Sequence, residues 1–240
     1  MAEAQQLAMN FQEISSTGLL KKVTTRLPYQ FGRHEIGCPH IIVYDFGVKQ
    51  NILQTLNRMG CKITVVPATM PINKVYQLAP DGILLSNGPG DPKAYSQVID
   101  SVKSLVVSNL PIFGICLGHQ LLGLALNIPI EKLKFGHHGI NHPVKSLQTG
   151  QVFISSQNHN FTLSDETFPD DYQVTYRSLF DNSIQGIQHK YKAIFGIQGH
   201  PEGCPGPTEL DFLFKEFIGA AREYMQQKTI GSNQCLSTLG

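Results

Sequence analysis

From about residue 40 to residue 127, apolar positions come in short blocks, each followed by a glycine- or proline-bearing turn and then by a stretch of helical spacing. Ile41–Asp45 is the first block. After Gly47, Val48–Met59 places Ile52, Leu53, Leu56 and Met59 on one helical face, and Gly60 ends it. Lys62–Val66 reads as a second strand, and Pro71 opens a short helix through Leu78, since proline suits the first helical position. Gly82–Ser86 is a third strand. The loop Asn87-Gly88-Pro89-Gly90-Asp91-Pro92 cannot be helical, and Ala94–Ser108 resumes helical spacing on Val98, Val102, Leu105 and Val106. Pro111–Ile115 is a fourth strand. Strands this apolar, alternating with helices, predict a parallel sheet covered on both faces.

Beyond Asn127 the pattern changes. Glu131–Phe135, Gln151–Ser155, Tyr172–Ser178, Ser183–His189 and Ala193–Gln198 read as strands separated by turn residues, mostly antiparallel. Thr208–Gln226 closes the pattern as a helix with Leu210, Leu213, Phe214, Phe217, Ala221, Tyr224 and Met225 on one stripe, a core face. The expected fold class is therefore α/β: an open, mostly parallel sheet flanked by helices, with an added antiparallel portion. Residues 1–39 are polar and read as an N-terminal extension or linker, 40–227 as one domain, and 228–240 as a disordered tail.

Composition narrows the function classes. The chain has 240 residues and a net charge of +1, so it carries no electrostatic footprint for nucleic acid or an anionic membrane. Its five cysteines, Cys38, Cys61, Cys116, Cys204 and Cys235, never form a C-x-x-C pair, which suggests neither a disulfide framework nor a zinc site. The early residues lack a charged start followed by an apolar run, and no segment is apolar enough to span a bilayer. A cytoplasmic protein is expected, in which the sequon at Asn160 has no glycosylation meaning.

The chemistry starts at Gly114-x-Cys116-x-Gly118, which follows an apolar strand and opens a helix. The spacing has the form of a nucleophile elbow, with cysteine in the place of serine. Such a bend needs small neighbours, and the helix N-terminus favours thiolate over thiol. These residues alone leave a second reading open, a buried core cysteine. His200-Pro201-Glu202 follows another strand end. Proline biases His200 toward extended geometry, so that residues two apart share a side and Glu202 holds one imidazole nitrogen while the other faces the sulfur. In open sheets ligands bind beyond the carboxyl ends of the strands, where Cys116 and the Gly88–Gly90 loop both lie.

Phe113-Gly114-Ile115-Cys116-Leu117-Gly118-His119-Gln120 together with His200-Pro201-Glu202 resembles the class I glutamine amidotransferases, which have a flavodoxin-like fold. Leu85–Pro92, Lys134–Gly139 with Asn141–Val144, and Gln157-Asn158-His159 narrow the resemblance to the small subunit of carbamoyl-phosphate synthetases. It implies Cys116 as nucleophile, His200 as general base and acid, and Glu202 as its orienter. Backbone N–H groups of Leu117 and Gly88 would form the oxyanion hole, and Gly90, Gln120, Asn158, Asn160 and Phe161 would hold L-glutamine. No cofactor is implied; the partner would be an ATP-dependent synthetase large subunit, with neither nucleic acid nor membrane. His137, His138 and His142 could be read as a metal set, but no cysteine or carboxylate completes it, and a hydrogen-bonded loop beside the site is expected instead.

The chain departs from the family at two glycines, replaced by Asn160 and Ile140. Asparagine is the non-glycine residue that best tolerates a left-handed backbone, so Asn160 would keep the fold while crowding the substrate, whereas Ile140 demands an extended or rebuilt loop. In the family's small subunit a further domain precedes this one. The chain therefore reads as part of a longer protein or as a free-standing paralogue. Its function would be glutamine hydrolysis for carbamoyl phosphate, a glutamine-binding regulatory role without turnover, or ammonia supply to a different acceptor.

Overall fold

A computed structural model describes residues 2–9 and 18–237. Helices α1 (Ala2–Met9) and α2 (Leu19–Val23) and strand β1 (Tyr29–Phe31) precede β2 (His40–Asp45), α3 (Gln50–Arg58), β3 (Lys62–Pro67), α4 (Ile72–Gln77) and β4 (Gly82–Leu85). A 3-10 turn at Pro92–Ala94 leads to α5 (Ser96–Val106), β5 (Ile112–Ile115) and α6 (Leu117–Ala125). There follow β6 (Ile130–Ser146), β7 (Val152–Leu163), β8 (Tyr172–Ser178), β9 (Ile184–His189), β10 (Ile194–Ile197) and α7 (Phe212–Ser237).

All ten strands form one sheet in the order β1-β3-β2-β4-β5-β10-β9-β8-β6-β7. β3, β2, β4, β5 and β10 run parallel, while β1 at one edge and β9, β8, β6 and β7 at the other pair antiparallel. This is the expected α/β class, with the crossover helices on both faces. Alternation along the parallel strands explains the layering. Ile42, Tyr44, Ile83, Leu85 and Ile112 face one cluster with Val98, Val102 and Leu105 of α5 and Leu121 and Leu122 of α6. Their neighbours Ile41, Val43, Leu84, Phe113 and Ile115 face the other, with Ile52, Leu53 and Leu56 of α3 and Phe214, Phe217 and Ala221 of α7. Phe113 is fully buried against Phe195, Phe214 and Phe217, with ring centroids 4.7, 5.6 and 5.8 Å away.

Three expectations need correction. First, the stretch set apart as an extension is built into the fold from Gly18 onward. Leu20 is buried in the core, the Thr25 N–H donates to Asp45 Oδ2 at 2.7 Å, and β1 pairs with β3. Its strand is three residues long and mostly exposed, so it leaves no periodic trace. Second, α7 continues to Ser237, where a disordered tail was expected from Lys228. The Lys228 ammonium, 2.6 Å from Asp81 Oδ1, ties the helix to the domain beyond the end of its apolar stripe. The remainder of the expected tail and residues 10–17 of the expected extension lie outside the described residues.

Third, residues 136–146 are strand, not loop. β6 runs through them, but its register against β7 slips twice: Leu133–Gly136 face Asn160 alone, and Ile140 and Asn141 face Ser156 alone. Such bulges break the alternation by which a strand is recognised. Among the described residues no helix is long and apolar enough to cross a membrane.

Candidate active site

Cys116 occupies the sharp bend between β5 and α6, with φ 52° and ψ −105°, a left-handed backbone that side chains rarely adopt. The flanking glycines are steric necessities. A Cβ on Gly114 would lie 2.8 Å from the Gly118 carbonyl oxygen, and one on Gly118 would lie 2.1 Å from that of Leu85. The bend is pinned from both sides, since the Cys116 N–H donates to Ile197 O at 2.9 Å and the Gly118 N–H to Ser86 O at 3.0 Å. Leu117 is the first residue of α6, so its N–H lies outside the helical ladder.

The neighbouring loop comes from β4, which pairs with β5, so the Gly88–Gly90 turn does border the sulfur. It is cross-tied to the loop after β2. Ser86 Oγ accepts from the Phe46 N–H at 2.9 Å and donates to Asn87 O at 2.8 Å. Asn87 Oδ1 accepts from the Lys49 N–H at 3.0 Å, while its amide donates to Gly47 O at 3.1 Å. Gly88 is pressed beneath this clasp, where a Cβ would lie 2.2 Å from Phe46 O.

His200 and Glu202 follow β10, beside β5 in the sheet. Their mutual geometry is set by a turn, not by the extended segment expected of Pro201: the Gly203 N–H donates to His200 O at 3.1 Å, and Gly203 takes φ +59°. A carboxylate only accepts, so His200 Nδ1 donates to Glu202 Oε1, at 2.8 Å, which leaves Nε2 for the sulfur. Both side chains are buried, at 7% and 2% exposure. Burial alone would pull the His200 pKa down, but the charge and hydrogen bond of Cys116, then those of Glu202, outweigh it and raise the imidazole above its ordinary value. Burial pushes Glu202 the other way, and it is held low by the His200 hydrogen bond and charge, with Lys49 behind them.

Lys49 went unnoticed in the sequence. Its ammonium lies 3.1 Å from Glu202 Oε1 and donates to Gly203 O at 2.6 Å, and the Asn51 amide donates to Glu202 O. A lysine at the mouth of the first crossover, beside the Asp45–Gly47 turn, was the available signal.

A cavity of about 780 Å³ opens above this group, and Cys116, His200, Gly88, Gly90, Gln120, Asn158, Asn160 and Phe161 all line it. Every expected site residue is therefore gathered here except Glu202, which lies behind His200, and the buried side chain of Leu117. Gln120 is held by its own amide, which donates to Phe161 O and to Gln198 Oε1, both at 3.0 Å. His159 Nδ1 must donate to Phe161 O at 2.8 Å, and burial lowers its pKa to about 3, so the ring is neutral.

The three histidines that the sequence offered as a metal set split: His137 and His142 lie ring to ring with centroids 5.2 Å apart, while His138 lines the cavity. His137 Nε2 is 2.8 Å from Asp181 Oδ2, His138 bridges Asn158 Oδ1 at 2.9 Å and Asn160 Oδ1 at 3.1 Å, and His142 packs edge-on against Phe180. Among the described residues no group of three His, Cys, Asp or Glu side chains is placed to hold a metal ion. Ile140 is extended, as its β-branched side chain requires, and points to solvent. Asn160 also lies in extended strand, so its tolerance of a left-handed backbone is not called on. A Cβ on Gly136 would lie 2.5 Å from Asn160 Oδ1, so the asparagine amide fills space that the Gly136 φ of +68° keeps open.

A sulfur, an imidazole and a carboxylate in sequence, with free amide donors beside the sulfur, are equipped for acyl transfer through a thioester. Comparison with known proteins agrees in fold and lineage. The chain is 46% identical over 236 residues to the carbamoyl phosphate synthase small chain of Haemophilus ducreyi, covering 92% of this chain and 61% of that protein. It is 51% identical over 193 residues to the protein of the same name from Buchnera aphidicola subsp. Baizongia pistaciae, covering 80% and 49%. The chain thus spans roughly half to three fifths of the length of these relatives.

Among solved structures, a candidate GMP synthase subunit from Thermoplasma acidophilum superposes with a TM-score of 0.70 at 24% identity, covering 82% of this chain and 100% of that one. A glutamine amidotransferase from Thermotoga maritima does so with 0.55 at 16%, covering 83% and 89%. The profile of the family described as glutamine amidotransferase class-I matches residues 42–220, and the chain belongs to that family.

Proposed function

We propose that this chain is the glutamine-hydrolysing component of a carbamoyl-phosphate synthase, converting L-glutamine to L-glutamate and ammonia in the cytoplasm. The reading rests above all on one observation: His200 lies between the Cys116 sulfur and the Glu202 carboxylate, at the floor of a cavity with ample room for an amino acid. The name shared by relatives at 46% and 51% identity supports it.

In this mechanism the Cys116 thiolate attacks the side-chain amide carbon of glutamine. The developing oxyanion takes hydrogen bonds from the Leu117 and Gly88 N–H groups, each donor being worth about 3–4 kcal/mol in comparable acyl transfers. His200 gives its proton to the departing ammonia. Water, deprotonated by the same ring, then cleaves the γ-glutamyl thioester, releasing glutamate and restoring the Cys116 thiolate beside the protonated ring. Glu202 holds the ring in the productive tautomer, and Lys49 holds Glu202. Gly90, Gln120, Asn158, the backbone at Asn160 and Phe161 seat the substrate, and ammonia passes to an ATP-dependent synthetase subunit.

A second reading draws on Asn160, whose amide crowds Gly136 and His138 at the cavity wall. On that reading the chain binds glutamine without turning it over. Glutamate release from glutamine, assayed with and without a synthetase subunit, separates the two. The expected result is turnover that Cys116→Ser lowers by about 10⁴-fold or more, with a glutamyl thioester trapped on Cys116 by acid quench and mass spectrometry. Glutamine binding with no thioester selects the second reading, and a Cys116→Ser variant as active as wild type overturns the first. Affinity capture of the ammonia-accepting enzyme tests the choice of partner.

A further inference from the structure

We propose that the buried group His137, His159 and Gln157 is a binding site for ammonia, as NH3 or ammonium. The choice of ligand rests on the glutaminase reading, and the site itself rests on hydrogen-bond polarity. Each of the three side chains carries an acceptor that is buried and finds no partner among the described residues: His137 Nδ1, His159 Nε2 and Gln157 Oε1. Buried acceptors are rarely left unmatched, so three together call for a donor. Their polarity is fixed largely by Asp181. Burial pushes its pKa up, but the hydrogen bonds of Ser183 and His137 bring it down to about 2, and a carboxylate only accepts. His137 Nε2 therefore donates to Asp181 Oδ2, at 2.8 Å, and Nδ1 keeps its lone pair. Ser183 Oγ donates to Asp181 Oδ1 at 2.7 Å, so it accepts from the Gln185 amide at 3.2 Å. Gln185 Oε1 then accepts from Gln157 Nε2 at 2.9 Å, which leaves Gln157 Oε1 as the bare end. His159 Nδ1 donates to Phe161 O, and its bare end is Nε2.

The three acceptors are neighbours. His137 stands opposite His159 and Gly139 opposite Gln157, with no slip between them, so all three side chains share one face of the β6–β7 ribbon. Gly139 adds no side chain to that face. The rings of His137 and His159 meet edge to face, with centroids 4.9 Å apart. His159 also lines the cavity above Cys116, and the charge of His200 bears on it, so the product is freed beside this group. Counting hydrogens selects the ligand: water brings two to three acceptors, whereas ammonia brings three and ammonium four. A metal ion is not served, since two imidazoles and an amide do not complete a ligand set.

The test titrates ammonium chloride into the whole chain and follows the histidine ring nitrogens by NMR, with potassium chloride at equal ionic strength as the control. A saturable shift at His137 Nδ1 and His159 Nε2 is expected with ammonium alone. Asp181→Asn, at an exposed position, removes the group that fixes the polarity and should weaken half-saturation about tenfold; Gln157→Leu, which removes one acceptor, should do the same. No saturation, an equal response to potassium, or unchanged affinity in both variants overturns the site. The titration needs no turnover, so the two readings fail separately. A chain that binds ammonium but releases no glutamate from glutamine keeps the site and loses the glutaminase reading. One that releases glutamate without responding to ammonium keeps that reading and loses the site.

Discussion

The two halves of the sheet are built differently and contribute differently to the site. In the parallel half, β2, β4, β5 and β10 pair without a slip, and the catalytic candidates sit where those strands end. In the antiparallel half, β6 slips twice against β7, and the residues that border the cavity cluster around the slips. Continuous register gives a rigid platform buried on both faces, which suits groups whose mutual distances must not drift. Bulges re-aim individual side chains, which suits a wall shaped to one ligand. The parallel half should therefore govern kcat and the antiparallel half KM.

The sharpest test of that division is Gly88→Ala. A Cβ there would lie 2.2 Å from the Phe46 carbonyl oxygen, in a clasp of backbone and side-chain bonds that has little room to yield. The loop must shift, and an oxyanion donor shifts with it. The expected result is a fall in kcat of about 10²–10³-fold with a smaller change in KM, measured by glutamate release. A Gly88→Ala enzyme altered in KM alone would erase the distinction between the halves.

The next test concerns how firmly the platform is held, and it is read as stability against pH. His200 has its folded pKa raised above the ordinary 6.5, so its contribution is complete below 6.5 and is lost as pH rises through the folded value. Glu202 has its folded pKa lowered beneath the ordinary 4.5, so its contribution is complete above 4.5 and is lost as pH falls through the folded value. Both are present together between pH 4.5 and 6.5. Urea denaturation of wild type and His200→Asn across pH 4–9 should show the widest gap in that window. The gap should be on the order of 3 kcal/mol, as expected for breaking a buried charged pair, and narrow toward either side. A gap independent of pH would mean that the trio adds nothing to the rigidity of its half.

The same division decides what could be read without coordinates. Ile41–Asp45, Gly82–Ser86 and Pro111–Ile115 announced themselves because a strand buried on both faces is apolar at every position. The glycines around Cys116 did so because only glycine fits between a strand and a helix crossing it so closely. The bulged ribbon did not. Gly136 and Gly139 look like loop residues, and the spacing of His137, His138 and His142 has no period of two, so one long strand read as a short strand and a loop. Lys49 escaped for another reason: it is an ordinary surface residue type whose role depends on what the fold sets opposite it. The Cys116, His200 and Glu202 grouping was legible because two short motifs hold it, and the turn at Gly203 that joins the last two was not.

The smallest expected effect belongs to Asn160, and it asks whether the antiparallel wall is tuned or merely present. Its amide bridges to His138 at 3.1 Å and occupies the space over Gly136, so the side chain narrows the cavity at that wall. Asn160→Gly removes that bulk but adds backbone freedom in the strand, which costs about 1 kcal/mol of stability. Because Asn160 is extended, glycine gains nothing from a left-handed backbone here. Relief of crowding should lower KM for glutamine by about two- to fivefold, with kcat unchanged and the melting temperature slightly reduced. A kcat that rose with the substitution would mean that the wall reaches the reacting atoms, and the two halves of the sheet would then share the chemistry.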